Sequence, residues 1–276
     1  MHMPKQFMYL SLSVLVLAST ANHSSAQELS ALERQIADAG EARLDDALAL
    51  LERTVNVNSG TLNASGNKAV ADILAPAFEA LGFDVRWEEL PSALNRSGHL
   101  IAERTGTTGR SVLLIGHLDT VFEPDSPFQE FTRDGDTVRG PGVVDMKGGN
   151  VVILYALKAL AEADALTDTT IRVIFTGDEE RPGRPLAVTR ASLIELAQAS
   201  DVALGFENGS RNSDGDLAVV ARRSSTTWAL TVTGVRAHSS GVFGVNAGAG
   251  AIFETSRILS AFYGQLRGEQ YLTFNV

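Results

Sequence analysis

Cysteine is absent from this sequence of 276 residues. Without cysteine the chain has no disulfide framework, no thiol catalysis and no lipid-modified cysteine. Basic residues are also few, because 23 Lys and Arg stand against 33 Asp and Glu and give a formal net charge of -10. A nucleic-acid surface needs clustered Lys and Arg to neutralise phosphates, and the sequence has no such cluster. We therefore expect no nucleic-acid partner.

Extremes of composition are missing too. The hydrophobic content of 44% and the charged content of 20% are ordinary for a globular protein and argue against disorder. A chain of this length buries a substantial core and is expected to form one or two domains. There is no internal repeat.

The amino terminus has the pattern of a secretory signal peptide. Lys5 precedes an apolar stretch at 7–18, which is followed by the small residues Ser24, Ser25 and Ala26. The apolar stretch is short for a helix that spans a bilayer. The pattern predicts a signal peptide at 1–26, a periplasmic or secreted protein, and no membrane association after cleavage.

The stretch SVLLIGHLDTV at 111–121 predicts a buried strand that ends at a polar site. Val112 to Ile115 form an unbroken apolar run, which is typical of a strand covered on both faces of a parallel sheet. His117 and Asp119 follow at once, where open α/β sheets place their ligands. On this stretch alone, a hydrogen-bonded loop histidine is the commoner interpretation.

Two further apolar runs repeat the arrangement. Residues 171–175 lead into an acidic cluster at 178–180, and residues 202–206 lead into Glu207. Parallel strands would bring these side chains and His117 to one edge of an α/β sheet. Unpaired carboxylates crowded there raise each other's pKa, so the pattern predicts a cation that neutralises them. We infer a metal site.

The rest of the chain alternates helical and strand patterns. Helices are predicted at 29–55 (one or two), 68–81, 150–161, 185–198 and 246–266, and strands at 83–87, 99–103, 217–221, 227–233 and 271–276. Asn150 is the better candidate for an N-cap than Asp145, because two glycines separate Asp145 from the helix. His99 is interpreted as an edge-strand residue. The polar segment 208–216 is the candidate domain boundary.

Four motifs carry a resemblance to a known family. They are HLDTV at 117–121, GPGVVDMKGG at 140–149, GDEE at 177–180 and GFENG at 205–209. Together they resemble the di-zinc peptidases that include glutamate carboxypeptidase, aminoacylase and succinyl-diaminopimelate desuccinylase, most closely the glutamate carboxypeptidase branch. The resemblance runs from about residue 48 to the end of the sequence.

The resemblance implies a fold and an assembly. A catalytic domain at 27–212 would have a mixed, largely parallel sheet flanked by helices. An inserted α+β lid at 213–276, incomplete here, would also form a homodimer.

The same resemblance implies roles for single residues and two bound zinc ions. His117 and Glu207 would bind one zinc, Asp145 would bridge both, and Glu180 would bind the other. Asp119 would fix the imidazole tautomer, and Glu179 would be the general base that serves a hydroxide shared by the zincs. His238, in GVRAHSSG at 234–241, would reach the partner subunit's site and polarise the scissile carbonyl.

Two features depart from the family pattern. No histidine follows His238, so the Glu180 zinc lacks its expected carboxyl-terminal ligand, and we expect the sequence to be part of a longer product. Arg181-Pro182-Gly183-Arg184 stands where relatives carry a Gly/Ser-rich turn. This second departure leaves the details of substrate recognition open.

We therefore expect a metallopeptidase that hydrolyses the amide bond to a carboxyl-terminal amino acid of a peptide or N-acyl amino acid. The alternatives are an aminopeptidase, dipeptidase or N-acyl-amino-acid hydrolase of the same family, and a truncated, non-catalytic remnant that binds metal.

Overall fold

The computed structural model describes residues 28–213, 215–248 and 250–276. The predicted signal peptide lies outside the described residues. The helices are α1 Ala31–Glu41, α2 Leu44–Val55, α3 Ala64–Glu79, α4 Gly148–Glu162, α5 Leu186–Thr189, α6 Ala191–Gln198 and α7 Ala251–Leu266. The strands are β1 Asp84–Glu88, β2 His99–Arg104, β3 Ser111–His117, β4 Thr132–Asp134, β5 Thr137–Arg139, β6 Thr170–Thr176, β7 Val202–Gly205, β8 Ser210–Asn212 and β9 Gly215–Leu217.

The central sheet has five strands in the order β1-β2-β6-β3-β7. Strand β2 is antiparallel to both of its neighbours, whereas β3 is parallel to β6 and to β7. Four strands therefore run in one direction and β2 runs in the other. This confirms the predicted mixed, largely parallel α/β fold.

Helices cover both faces of the sheet because the strand residues alternate between two apolar clusters. Ile171, Val173 and Phe175 pack in the larger cluster with residues of α2, α3 and α4. Ile174 points to the opposite face and packs with Leu196 of α6. Phe175 also meets Phe78 of α3 edge to face, with ring centroids 5.8 Å apart. A sheet buried on both faces explains why its strands appear in the sequence as unbroken apolar runs.

Two predictions within this sheet region were wrong. His99 begins β2, which lies between β1 and β6, and it is 2% exposed, so it is not on an edge strand. The helix predicted at 185–198 is divided into α5 and α6 at Arg190, which has φ -113° and ψ 8°. The division has a physical cause, because the Thr189 carbonyl accepts a hydrogen bond from His99 Nε2 at 2.9 Å and the Arg190 guanidinium binds Asp178.

The residues form two compact units that divide between Asn208 and Gly209. The second unit contains the β8–β9 hairpin and α7, whose side chains are not fully buried. The predicted strands at 227–233 and 271–276 do not form in the structure. Alternating hydrophobicity predicts which face a strand would bury, but a ladder also needs a paired neighbour, and these segments pair with no described strand. The assignment of 213–276 as a lid stays a prediction.

No helix in the described part of the chain is long and apolar enough to cross a membrane.

Candidate metal centre

The carboxyl ends of three neighbouring strands bring the predicted site residues to one edge of the sheet. His117 of β3 lies opposite Thr176 of β6, and Ile115 lies opposite Gly205 of β7. The segments that follow β3, β6 and β7 therefore start side by side. This register places His117 beside the loop that carries Glu179 and Glu180.

His117 is buried between two carboxylates. Its Nε2 lies 2.9 Å from Asp145 Oδ1, and its Nδ1 lies 2.9 Å from the Asp119 carbonyl oxygen and 3.4 Å from Asp119 Oδ1. Burial lowers the pKa of the imidazole, but the hydrogen bond and charge of Asp119 and the charge of Glu179 outweigh burial and raise it to about 9. Without metal, the ring is therefore held as an imidazolium at neutral pH.

Asp119 is fully buried and connects three parts of the site. Its Oδ2 accepts hydrogen bonds from Thr61 Oγ1 at 2.7 Å and from the Glu180 amide at 3.1 Å, while its Oδ1 accepts one from the Glu179 amide at 2.9 Å. Burial raises the pKa of this carboxyl, but the hydrogen bonds from His117 and Thr61 prevail and hold it below its usual value. Asp119 thus remains ionised and orients both the imidazole and the glutamate turn.

Glu179 and Glu180 complete a group with metal-binding geometry. One ligand atom each from His117, Glu179 and Glu180 lie within 4.8 Å of one another. Burial raises the pKa of both glutamates, and repulsion from Asp145 helps to raise that of Glu180 to about 7. Imidazole and carboxylate groups are the ligands that zinc accepts, and a divalent cation would relieve this repulsion. The residues therefore fit a metal ion.

Asp145 lies in the turn Val143–Lys147 immediately before α4, at a kink where its own backbone is not helical (φ -125°, ψ 95°). Its side chain is half-exposed, and its Oδ1 contacts His117 Nε2. The predicted cap was wrong: Asn150 lies inside α4, and its Nδ2 donates to the His117 carbonyl at 2.6 Å. The side chain of Asn150 therefore fixes the end of β3 instead of capping α4.

The backbone at the start of α4 lies very close to neighbouring segments. A Cβ added to Gly149 would lie 2.3 Å from the Phe206 carbonyl oxygen, and one added to Gly148 would lie 2.3 Å from the Val143 carbonyl oxygen. Only glycine allows α4 to begin this close to the segment that carries Glu207.

Glu207 and His238 are less closely tied to this group. Glu207 is exposed and follows β7, near enough to Glu179 for its charge to raise the pKa of Glu179. His238 lies in the second unit, where its Nδ1 contacts Ser240 Oγ at 2.9 Å. The roles predicted for both residues stay predictions.

Comparison with known proteins decides the family. The sequence model of Peptidase family M20/M25/M40 matches residues 113–269 of this chain. This chain belongs to that family. Members of the family are metallohydrolases that use zinc or other divalent metals.

Two curated relatives align with about 70% of this chain. Carboxypeptidase G2 of Pseudomonas sp. (strain RS-16) is 33% identical over 204 residues, which are 71% of this chain and 47% of that protein. Succinyl-diaminopimelate desuccinylase of Novosphingobium aromaticivorans is 34% identical over 200 residues, which are 70% of this chain and 51% of that protein. The chain spans about half the length of the curated relatives that it matches.

A solved structure shows the same fold. Human carnosine dipeptidase 1 superposes with a TM-score of 0.53 at 19% identity, covering 63% of this chain and 41% of that chain. At this identity the likeness supports the fold alone.

The structure also shows residues around the M20 site that the sequence patterns did not reveal. Thr61 lies in the segment 58–66, which has the pattern of a plain polar loop, yet its hydroxyl binds Asp119. Asp178 belongs to the predicted acidic cluster but does not join the metal-binding group. It is fully buried and accepts hydrogen bonds from Arg190 Nη1 at 2.5 Å and the Gly183 amide at 2.9 Å.

The Asp178 contacts hold the arginine-containing turn that follows Glu180. Arg96 Nε also donates to the Arg181 carbonyl at 2.5 Å. The side chains of Arg181 and Arg184 are exposed. No sequence pattern predicts the contact between Asp178 and Arg190, because a spacing of twelve residues does not by itself indicate that two side chains meet.

Proposed function

We propose that this chain is the metal-binding part of a zinc-dependent metallopeptidase that hydrolyses the amide bond to a carboxyl-terminal amino acid. The observation that carries the proposal is the joint arrangement of His117, Glu179 and Glu180 around Asp119. The similarity to Carboxypeptidase G2, at 33% identity, supports the choice of a carboxypeptidase.

Each site residue has a separate chemical role in this proposal. Asp119 orients the His117 ring and the turn of the two glutamates, so that their ligand atoms converge. His117, Asp145, Glu180 and Glu207 would hold two zinc ions, which supply Lewis acidity and an activated water. Glu179, whose pKa is raised by burial, can take the proton of the attacking water and return it to the leaving amine.

Two further parts of the proposal concern the context of the chain. Residues 1–26 contain a lysine, then an apolar stretch, then small residues. This pattern supports export to a periplasm or the medium. His238 supports a homodimer in which the second unit assists the partner's site, as the family resemblance implies.

A second candidate is an N-acyl-amino-acid hydrolase. It is favoured by the similarity to succinyl-diaminopimelate desuccinylase, at 34% identity. Both reactions break an amide bond beside a carboxylate, so the metal centre alone does not distinguish them. A third candidate is a metal-binding fragment without turnover, which is supported by the chain's span of about half of these relatives.

A substrate panel with a parallel zinc assay tests all three candidates. The purified chain would be given peptides with a blocked amino terminus, free dipeptides and N-succinyl amines, while bound zinc is measured by mass spectrometry. Release of the carboxyl-terminal amino acid from blocked peptides is the expected result. A requirement for a free amino terminus would exclude the carboxypeptidase, and negligible turnover at full zinc occupancy would support the fragment.

A further inference from the structure

Lys147 is a buried ionisable residue that the proposed chemistry does not use, and burial lowers the pKa of its amine to about 7. It is 1% exposed, and its ammonium donates hydrogen bonds to the carbonyl oxygens of Thr54 and Val57, both at 2.9 Å. Removing an ammonium from water is costly unless partners replace the lost hydration. A methionine of similar length could fill this space without the cost of removing a charged group from water. The hydrogen bonds of the lysine therefore point to a role beyond filling space.

One end of the Lys147 side chain belongs to the turn that carries Asp145. Lys147 is the last residue of the turn, and its amide donates to the Gly142 carbonyl at 2.7 Å. Its stem covers Gly142, since a Cβ placed there would lie 3.2 Å from Lys147 Cγ and Cδ. The Asp145 side chain is 50% exposed, and its Oδ1 contacts His117 Nε2 at 2.9 Å. The backbone of the turn, which Lys147 closes, sets where this carboxylate can reach.

The other end of Lys147 reaches the segment that supports Asp119. Thr54 lies in the last turn of α2 and Val57 follows the helix, where the helix dipole favours a cation. The chain then continues into residues that bind the loop after β3. Ser59 Oγ donates to the Leu118 carbonyl at 2.8 Å, and Thr61 Oγ1 donates to Asp119 Oδ2 at 2.7 Å.

We propose that Lys147 is a positioning residue of the metal centre. Its ammonium ties the turn that carries Asp145 to the segment that holds Asp119, and so keeps the two sides of the site at a fixed separation. The inference rests on the proposed metal centre and extends it to a residue that does not touch the metal. Lys147 acts through the position of Asp145.

Zinc affinity, measured without any activity assay, tests this role. The chain is stripped of metal, and the zinc Kd of Lys147→Met is compared with that of the wild type by competition with a chromophoric chelator. We expect the Kd to rise about 10- to 100-fold, as for other groups that orient metal ligands. Lys158→Met is the matched control, because it makes the same change on α4 at a lysine whose ammonium lies 4.2 Å over the Tyr155 ring. Its Kd should equal that of the wild type.

A double-mutant cycle separates positioning from general stability. In an Asp145→Ala background, Lys147→Met should weaken zinc binding no further, because the residue on which it acts is gone. Equal loss in both backgrounds would overturn the proposal, as would a folded Lys147→Met with wild-type affinity. If Lys147→Met does not give the circular dichroism of a folded chain, Lys147→Gln, which keeps most of the stem, takes its place in the cycle with the same expected and overturning results.

The wild-type measurement keeps this inference distinct from the function on which it rests. A wild-type chain that binds no zinc would contradict the metal centre itself and thus the proposed function. Zinc binding by the wild type with an unchanged Lys147→Met contradicts only the role of Lys147.

Discussion

At the scale of single residues, the candidate site depends on the different roles of the two neighbouring glutamates, Glu179 and Glu180. The amides of Glu179 and Glu180 donate to opposite oxygens of Asp119. Both side chains offer an oxygen to the same group as His117. Their roles therefore have to be separated by substitution.

Substitutions at His117 and Glu179 should have different effects on metal and on turnover. We expect His117→Ala to lose zinc, because the ring is the one imidazole of the group. Glu179→Ala should keep zinc and lower kcat about 100-fold or more, which is the usual contribution of a general base. Zinc content by mass spectrometry and turnover of a blocked peptide would be measured side by side. Equal zinc loss in the two variants would refute this division of roles.

The pKa values of His117 and Glu180 predict how stability changes with pH. Without metal, the folded chain binds more protons than the unfolded chain wherever a folded pKa is raised, so stability falls as pH rises through that window. The pKa of Glu180 rises from 4.5 to about 7 and that of His117 rises from 6.5 to about 9. We expect the Tm of the metal-free chain to fall between pH 5 and pH 7 on account of these groups, whereas above pH 7 the pKa of Lys147, which burial lowers from 10.5 to about 7, opposes the effect of His117.

Zinc should reverse that trend, because it must displace the proton on His117 and the one on Glu180. The rise in Tm on adding zinc should therefore grow with pH over the same range. Thermal melts with and without zinc at several pH values measure both effects. A zinc-induced rise that is independent of pH would contradict these assignments, and His117→Ala serves as the control without the imidazole.

At the scale of elements, a glycine allows the start of α4 to lie close to the segment that follows β7. Because a Cβ on Gly149 would lie 2.3 Å from the Phe206 carbonyl oxygen, Gly149→Ala must displace one of the two segments. We expect a loss of about 1 to 3 kcal/mol in the free energy of unfolding, measured with urea. The zinc Kd should also rise, because Phe206 precedes Glu207.

Gly40→Ala is the matched control for Gly149→Ala. Nothing lies within 4 Å of a Cβ added there, and the residue belongs to α1. Alanine should stabilise that helix by about 0.5 to 1 kcal/mol. If both variants unfold at the same urea concentration, the close approach at Gly149 carries no cost.

The loop after β6 depends on an ion pair between Asp178 and Arg190. The carboxylate is fully buried, and the Arg190 side chain is 17% exposed. Arg190→Met would leave the buried charge of Asp178 unpaired, so we expect a loss of about 3 kcal/mol or more in the free energy of unfolding. Arg184→Met changes an exposed arginine near the same loop and should shift stability by less than about 0.5 kcal/mol. Urea unfolding of the two variants gives the comparison, and equal effects would argue against the ion pair.

At the scale of the whole molecule, a bound metal should stabilise the folded chain by mass action. Free zinc at 100 times its Kd would add about 2.7 kcal/mol to the free energy of unfolding. We expect calorimetry to show a higher Tm with zinc and a return to the metal-free Tm after chelation. His117→Ala should show no such rise. A wild-type chain whose Tm ignores zinc would contradict the metal centre.

The sequence by itself determined the α/β fold and the edge of the sheet at which the site lies. Apolar runs such as 112–115 and 171–175 predicted strands buried on both faces, and the polar residues that follow them predicted where ligands gather. These are local patterns with a fixed period, so they can be recognised without knowing which segments pair. The same patterns were misleading at 227–233 and 271–276, because alternation does not supply a partner strand.

Only the tertiary structure decided which polar groups support the site. Asp119 with Thr61, Asp178 with Arg190, and Lys147 with the carbonyls of Thr54 and Val57 are contacts between side chains and segments that no short pattern links. The position of His99 inside the sheet likewise follows from the strand order. The physical reason is that hydrophobic periodicity is repeated along the chain, whereas a hydrogen bond between distant residues exists only once the folded backbone has brought its donor and acceptor within about 3 Å.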